Sequence, residues 1–147
     1  MYKHILLPTD GSPRTRKAIV AGLKLARAVG ARVTGFYAAP AATPIEYRGM
    51  FPVGYSDTAT RARVIERTAN RHLAVIEKAA RAARVRCKVE HVTSDFPADA
   101  IVSAARRNRC DLIFISSHGR HGFKPSLLGS QTQKVLARSP IPVLVHR

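Results

Sequence analysis

Short, continuous apolar runs alternate with amphipathic helical segments along this whole chain, and few architectures accommodate that alternation. An apolar run bounded by turn formers reads as a strand covered on both faces. Strands separated by helices read as a parallel sheet flanked on both sides. His4-Ile5-Leu6-Leu7-Pro8 is the first such run, broken by Asp10-Gly11-Ser12-Pro13. Ser12 is placed to cap a helix with Pro13 in its first position. That helix carries Ile19, Gly22, Leu23, Ala26 and Val29 at spacings of three and four and stops at Gly30. A second strand follows over Arg32 to Ala38, and a third over Arg86 to Val92. A helix from about Pro97 to Asn108 leads to a fourth strand, Asp111 to Ser116. A last helix runs to about Arg138, and Ile141-Pro142-Val143-Leu144-Val145 closes the pattern as strand five.

Two segments need separate reading. Residues Ala39 to Asp57 contain Pro40, Pro44, Gly49, Pro52 and Gly54 and show no usable period, so a long loop is expected. Tyr47, Met50, Phe51 and Tyr55 are too apolar for a bare linker; they are expected to pack on a ligand, on a partner chain or on the edge of the domain's own core. From Thr58 to Arg84 the longest helix is expected, with Ala62, Ile65, Ala69, Leu73, Ile76, Ala80 and Ala83 inward and Arg63, Arg67, Arg71, Lys78 and Arg81 outward.

The 147 residues suffice for one domain, 1–147, and no apolar run reaches the length of a membrane span. The opening apolar stretch is too short for a signal peptide, so a cytoplasmic protein is expected. Cys87 and Cys110 lack metal-ligand spacing and read as small apolar residues. The charge is unusual: 25 basic against 9 acidic residues leave a formal +16, a surface that attracts anions.

Ligand crevices of open parallel sheets form beyond the carboxyl ends of the strands. The richest turns there are Pro8-Thr9-Asp10-Gly11-Ser12 and Ser116-Ser117-His118-Gly119-Arg120-His121-Gly122, the latter followed by Leu128-Gly129-Ser130-Gln131-Thr132. Glycines let backbone amides approach an anion, and a helix start receives phosphate readily. Ser130 with Gln133 has capping-box spacing. Neither GxxxxGK[ST] nor GxGxxG is present, so on spacing alone the glycines read first as turn formers and second as a phosphate site. His118 and His121 lie three apart beside one reachable carboxylate, Asp10; His118 is expected to fix the loop by hydrogen bonding rather than to ligate a metal.

The blocks "KHILLPTDGS", "SSHGRHG", "LLGSQTQKVL" and "SPIPVLVHR", in that order, resemble the universal stress protein family over nearly the whole chain. The resemblance implies an open five-stranded parallel α/β sheet, adenine nucleotide alpha hydrolase-like, ordered 3-2-1-4-5. The family's nucleotide-binding branch carries G-x2-G-x9-G-[ST]. Gly119, Gly129 and Ser130 match it, whereas Ser116 stands at its first glycine. A serine there is harmless if the backbone stays extended and intrudes if φ is positive. The resemblance further implies that Pro8, Thr9, Tyr37 and Ala38 border an adenine and that Asp10 contacts ribose or a metal. Ser116, His118, Gly119 and Arg120 would line the phosphate path, and Gly129, Ser130, Gln131 and Thr132 would hold phosphate oxygens. The implied cofactors are ATP, ADP or AMP with Mg²⁺ or Mn²⁺, and the implied partner is a second copy joined through Val143, Leu144 and Val145. The chain offers no paired carboxylates and no nucleophile elbow, so slow or incidental ATP turnover is expected. Two other readings stay open: a family member without nucleotide, and a basic nucleic-acid-binding protein.

Overall fold

The computed structural model describes residues 1–43, 45–119 and 127–147, apart from the side chains of Glu46 and Tyr47. The elements follow in the order β1 (His4–Thr9), α1 (Pro13–Val29), β2 (Arg32–Ala39), β3 (Ile45–Arg48), β4 (Phe51–Tyr55) and α2 (Thr58–Ala82). They continue with β5 (Cys87–Thr93), α3 (Pro97–Arg107), β6 (Leu112–Ser116), α4 (Ser130–Arg138) and β7 (Val143–His146).

Five strands form one parallel sheet in the order β5-β2-β1-β6-β7. Counted over the strands of this sheet alone, that is the expected 3-2-1-4-5; the extra hairpin β3-β4 shifts the running numbers. Alternation along the strands divides the interior in two. Ile5, Leu7 and Val33 pack with Ile19 and Leu23 of α1 and Leu73 and Ile76 of α2. Leu6, Phe36, Ile113 and Ile115 pack with Ile101 and Val102 of α3 and Val135 of α4. Truncating a fully buried residue such as Leu6 to Ala costs about 2–5 kcal/mol. No helix among the described residues is long and apolar enough to cross a membrane.

The helix boundaries have local causes. Ser12 caps α1 by accepting from the Thr15 amide, and Gly30 ends the helix at φ 71°. Asp57 caps α2 by accepting from the Thr60 amide at 2.6 Å, and that bond holds its carboxyl below the ordinary range. Arg63, Arg67, Arg71, Lys78 and Arg81 are exposed on the outer face of α2. Ala62, expected inside, is exposed because the first turn of α2 runs past the packed core, which begins at Ile65 and Ala69.

The expected long loop is corrected by the structure. Ile45–Arg48 and Phe51–Tyr55 pair antiparallel, and Gly49 at φ 64° supplies the positive φ that a two-residue hairpin turn requires. Met50, Phe51 and Tyr55 are exposed, so they do not plug the edge of the domain's own core. Cys110 is buried and Cys87 half-buried, both as free thiols. Burial raises both thiol pKa values, that of Cys110 to about 11.

Candidate functional site

Parallel order places the carboxyl ends of β1, β2, β5 and β6 on one side of the sheet. The turn after β1 is rigid. Asp10 Oδ1 accepts from the Ser12 amide at 2.9 Å and from the Thr15 hydroxyl at 3.2 Å, while Thr9 Oγ1 accepts from the Gly11 amide at 3.0 Å. Gly11 turns at φ 79° directly over the His72 ring of α2, where a Cβ would lie 2.1 Å from the imidazole. His72 also meets Tyr37 edge-on at 5.0 Å, so α2 supports both the β1 turn and the wall formed by β2.

The turn after β6 is stitched to the start of α4. Ser117 O accepts from the Gly129 amide at 2.7 Å, and the Thr132 hydroxyl donates to Ser116 O at 2.8 Å. Ser116 lies within the extended strand β6, and its hydroxyl donates to His118 O at 2.7 Å. The side chain at the first-glycine position is thus turned onto its own loop, and an extended backbone accommodates serine without strain. His118 is buried, with Nδ1 at 3.1 Å from Ser117 Oγ, as expected of a loop-fixing residue.

The two turns meet at Gly119. A Cβ on Gly119 would sit 2.3 Å from Asp10 Oδ2, so any larger residue there would force the carboxylate to shift. Gly129 is also closely packed: its Cβ would stand 3.2 Å from Ser117 O and 3.4 Å from His118 Cα.

The start of α4 differs from the expected capping box. Gly129 occupies the cap position and Ser130 is the first helical residue, with no side chain capping the helix. Gln133 reaches back to Leu128 O at 2.7 Å instead of to a cap amide. A cap hydroxyl at 130 is ruled out because glycine already holds the extended cap conformation. The first amides of α4 therefore lack an intrahelical acceptor, the arrangement that receives anions. Gln131 Oε1 accepts from the Ala98 amide at 3.3 Å, linking α4 to the first turn of α3.

A cavity of about 350 Å³ lies between these loops. Pro8, Thr9, Asp10, Tyr37, Ala38, Ser116, His118, Gly119, Gly129, Ser130, Gln131 and Thr132 all line it. Arg120, His121, Gly122 and Pro125 lie outside the described residues. Sequence reasoning missed Phe36 and Pro40 of the β2 side and Ser94, Asp95, Pro97 and Ile101 beyond β5. The sheet order was the available signal, since it sets the end of β5 beside that of β2. Asp95 joins these walls, its Oδ1 accepting from the Ala41 amide at 3.0 Å.

The donor set suits an adenine-sized ring between the apolar walls and phosphates against the glycines and the start of α4. Among the described residues no three metal-ligating side chains converge. Asp10 fits Mg²⁺ or Mn²⁺ as a single carboxylate, since such ions commonly take one or two carboxylates and complete their shell with water and substrate phosphates.

Comparison with known proteins agrees with this architecture. The profile of the universal stress protein family matches residues 1–147. A universal stress protein of Thermus aquaticus is 31% identical over 147 residues, covering 100% of both chains. Among solved structures, a universal stress protein in complex with cAMP superposes with a TM-score of 0.74 at 22% identity, covering 99% of this chain and 97% of the other. The universal stress protein of Archaeoglobus fulgidus in complex with dAMP superposes with a TM-score of 0.64 at 18% identity, over 99% and 98% of the two chains. These two likenesses are of fold, while the family profile and the Thermus relative concern the sequence itself, from its first residue to its last. The chain belongs to the universal stress protein family.

Proposed function

We propose that this chain is a cytoplasmic stress-response module that binds ATP, or ADP or AMP, with Mg²⁺ or Mn²⁺ in the cleft between β1 and β6. The observation that carries this reading is the contact of Gly119 with Asp10, which a Cβ would close to 2.3 Å, beneath the uncapped start of α4. It sets main-chain donors and the Asp10 carboxylate on one side of the hollow, with Asp95 in its far wall. Pro8, Thr9, Tyr37 and Ala38 would border the base, with Phe36 and Ile101 behind them. Gly119, Gly129, Ser130, Gln131 and Thr132 would receive the phosphates, with Arg120 and the loop fixed by Ser116 and His118 alongside. The cAMP and dAMP complexes of structural neighbours support an adenine nucleotide. A metal bound with the phosphates would supply charge neutralisation, and Asp10 is its protein ligand in this reading.

Binding rather than catalysis follows from the same loop. Among the described residues Asp10 is the carboxylate at the β1–β6 contact, with its Oδ1 committed to Ser12 and Thr15, and Asp95 in the far wall accepts from the Ala41 amide. It is poorly disposed to activate water, and turnover is expected below about 1 per second, the low end of ordinary enzymes. Calorimetric titration with ATP and Mg²⁺, beside Gly129→Ala, tests the reading. Saturable binding weakened in the variant supports it, and absence of heat with the folded parent sinks it.

The proposed assembly is a homodimer through β7. Among the described residues this strand pairs with β6 alone, and Val143 and Val145 are half-buried while Leu144 is exposed. An apolar edge of this kind is a template for another strand. Sedimentation at micromolar concentration is expected to show a dimer, and a monomer alone removes this part of the proposal.

A further inference from the structure

The opposite end of the sheet holds a second cavity, of about 250 Å³, at the starts of β1, β2 and β5 and the end of α3. Its lining includes His4, Arg32, Arg86, Lys88 and Asn108, and no carboxylate. Register explains why these charges gather. His4 pairs with Arg32 across β1 and β2, and Thr34 with Lys88 across β2 and β5. Alternation places all four on the sheet face that carries Leu6 and Phe36, where the α3 helix ends. There the apolar interior gives way to a polar row: His4 Nε2 lies 2.7 Å from Thr34 Oγ1, and both residues are buried.

The cations at the rim form no direct ion pair among the described residues, and the Asp111 carboxylate on the His4 amide is the anion acting on His4 against them. Arg32, Arg86 and Lys88 are exposed and join neither of the two ion pairs. The acids at this end are committed elsewhere. Glu90 accepts from Arg107 at 2.7 Å and from the Asn108 side chain at 2.8 Å. Asp111 accepts the amides of Lys3 and His4 at 2.8 and 3.0 Å. Arg32 and Lys88 project onto the same interior points: after burial, they are the leading charges holding the His4 imidazole below its usual range, and both act on the Cys110 thiol. Converging positive charge at the mouth of a cavity concentrates anions there.

We propose that this cavity binds a phosphate-class oxyanion, a phosphate or diphosphate group free or carried on a small ester, between Arg32 and Lys88 with Arg86 at the rim. The site is separate from the cleft and does not depend on the nucleotide reading.

Inorganic pyrophosphate, phosphate and ribose 5-phosphate are titrated into the full chain at constant ionic strength, with chloride as the control. Calorimetry and the His4 imidazole resonances are followed. Saturable binding is expected, with pyrophosphate tighter than phosphate and a change at His4. Arg32→Gln with Lys88→Gln is expected to weaken it at least tenfold, while both residues are exposed enough for thermal unfolding to confirm a folded variant. Prior addition of one equivalent of ATP with Mg²⁺, enough to fill the cleft, is expected to leave it intact. Tighter binding of the ester identifies an organic phosphate as the occupant, and tighter binding of pyrophosphate an inorganic one; either supports the site. Equal response to chloride, equal affinity in the double variant, or displacement by ATP at the stoichiometry of the cleft overturns it.

Discussion

In the two proposals, the ends of the sheet would receive anions by opposite means. At the carboxyl end the described donors are main-chain amides brought close by Gly119 and Gly129, and the charged side chains lining the hollow are the acids Asp10 and Asp95. At the amino end the donors are the long side chains of Arg32, Arg86 and Lys88 around a buried His4–Thr34 pair. Main-chain donors are fixed by the fold and tolerate no extra atom. Side-chain charges are mobile, exposed and open to screening. The first arrangement is therefore expected to fail sterically and the second electrostatically.

The largest effect is expected from Gly119→Ala. Its Cβ would stand 2.3 Å from Asp10 Oδ2, and a shift of the carboxylate strains the bond that its Oδ1 accepts from the Ser12 amide. Loss of roughly a hundredfold in ATP affinity is expected, about 2.7 kcal/mol. Gly129→Ala, whose Cβ meets Ser117 O at a milder 3.2 Å, is expected to cost about tenfold. Calorimetry on both variants checks the ranking; equal effects would show that the contact between the loops is not the critical one. Pyrophosphate binding at the amino end is expected to be unchanged in both.

Asp10→Asn separates charge from shape. The amide oxygen can still accept from Ser12 and Thr15, so the turn is retained, while the ligand for a divalent cation is lost. ATP affinity in Mg²⁺ is expected to fall about tenfold, toward the value measured with chelator, about 1.4 kcal/mol. A variant that keeps the full Mg²⁺ effect would remove Asp10 as the metal ligand.

Salt distinguishes the ends more gently. Raising ionic strength from about 0.1 to 1 M shortens the Debye length from about 10 to 3 Å, which screens exposed charges most. Pyrophosphate affinity at the amino end is expected to drop severalfold, and more than the affinity of AMP for the cleft measured in the same buffers. An equal drop at both ends would mean that long-range charge, including the arginines of α2, governs the cleft as well.

What could be read from the residues follows this division. The parallel sheet was legible because runs such as Ile5-Leu6-Leu7 and Leu112-Ile113-Phe114-Ile115 are continuous and their boundaries are marked by capping chemistry at Ser12 and Gly30. The glycines of the cleft were legible because their spacing is local. The hairpin was not, since Gly49, Pro52 and Gly54 mask its period and Met50, Phe51, Val53 and Tyr55 are exposed rather than packed on a core that would impose one. Asp95 and Ile101 went unread although the implied strand order set β5 beside β2, because neither stands in a glycine-rich turn. Arg32 and Lys88 look like ordinary solvated charges until register sets them on one face. At Ser130 the capping-box spacing was real, but the helix starts one residue earlier than that box requires, with Gly129 in the cap position.

The smallest expected effect concerns pH and lies at the amino end. Burial, then Arg32 and Lys88, lower the His4 pKa, while Asp111 and the Asn108 backbone oppose them, and Thr34 takes its Nε2. The folded protein therefore binds a proton at His4 less readily than the unfolded chain does. As pH falls through the unfolded value near 6.5, the unfolded state gains protons that the native state refuses, so stability declines on acidification and levels off below the folded pKa. His4→Gln retains a partner for Thr34 and cannot titrate. Between pH 7.5 and 5.5 the parent is expected to lose more thermal stability than the variant does, by no more than about 3 °C. Saturating pyrophosphate is expected to shrink that difference, because an anion between Arg32 and Lys88 offsets the charges that disfavour the imidazolium. If the difference persists unchanged with the anion bound, burial alone sets the shift and the two cations do not act on His4.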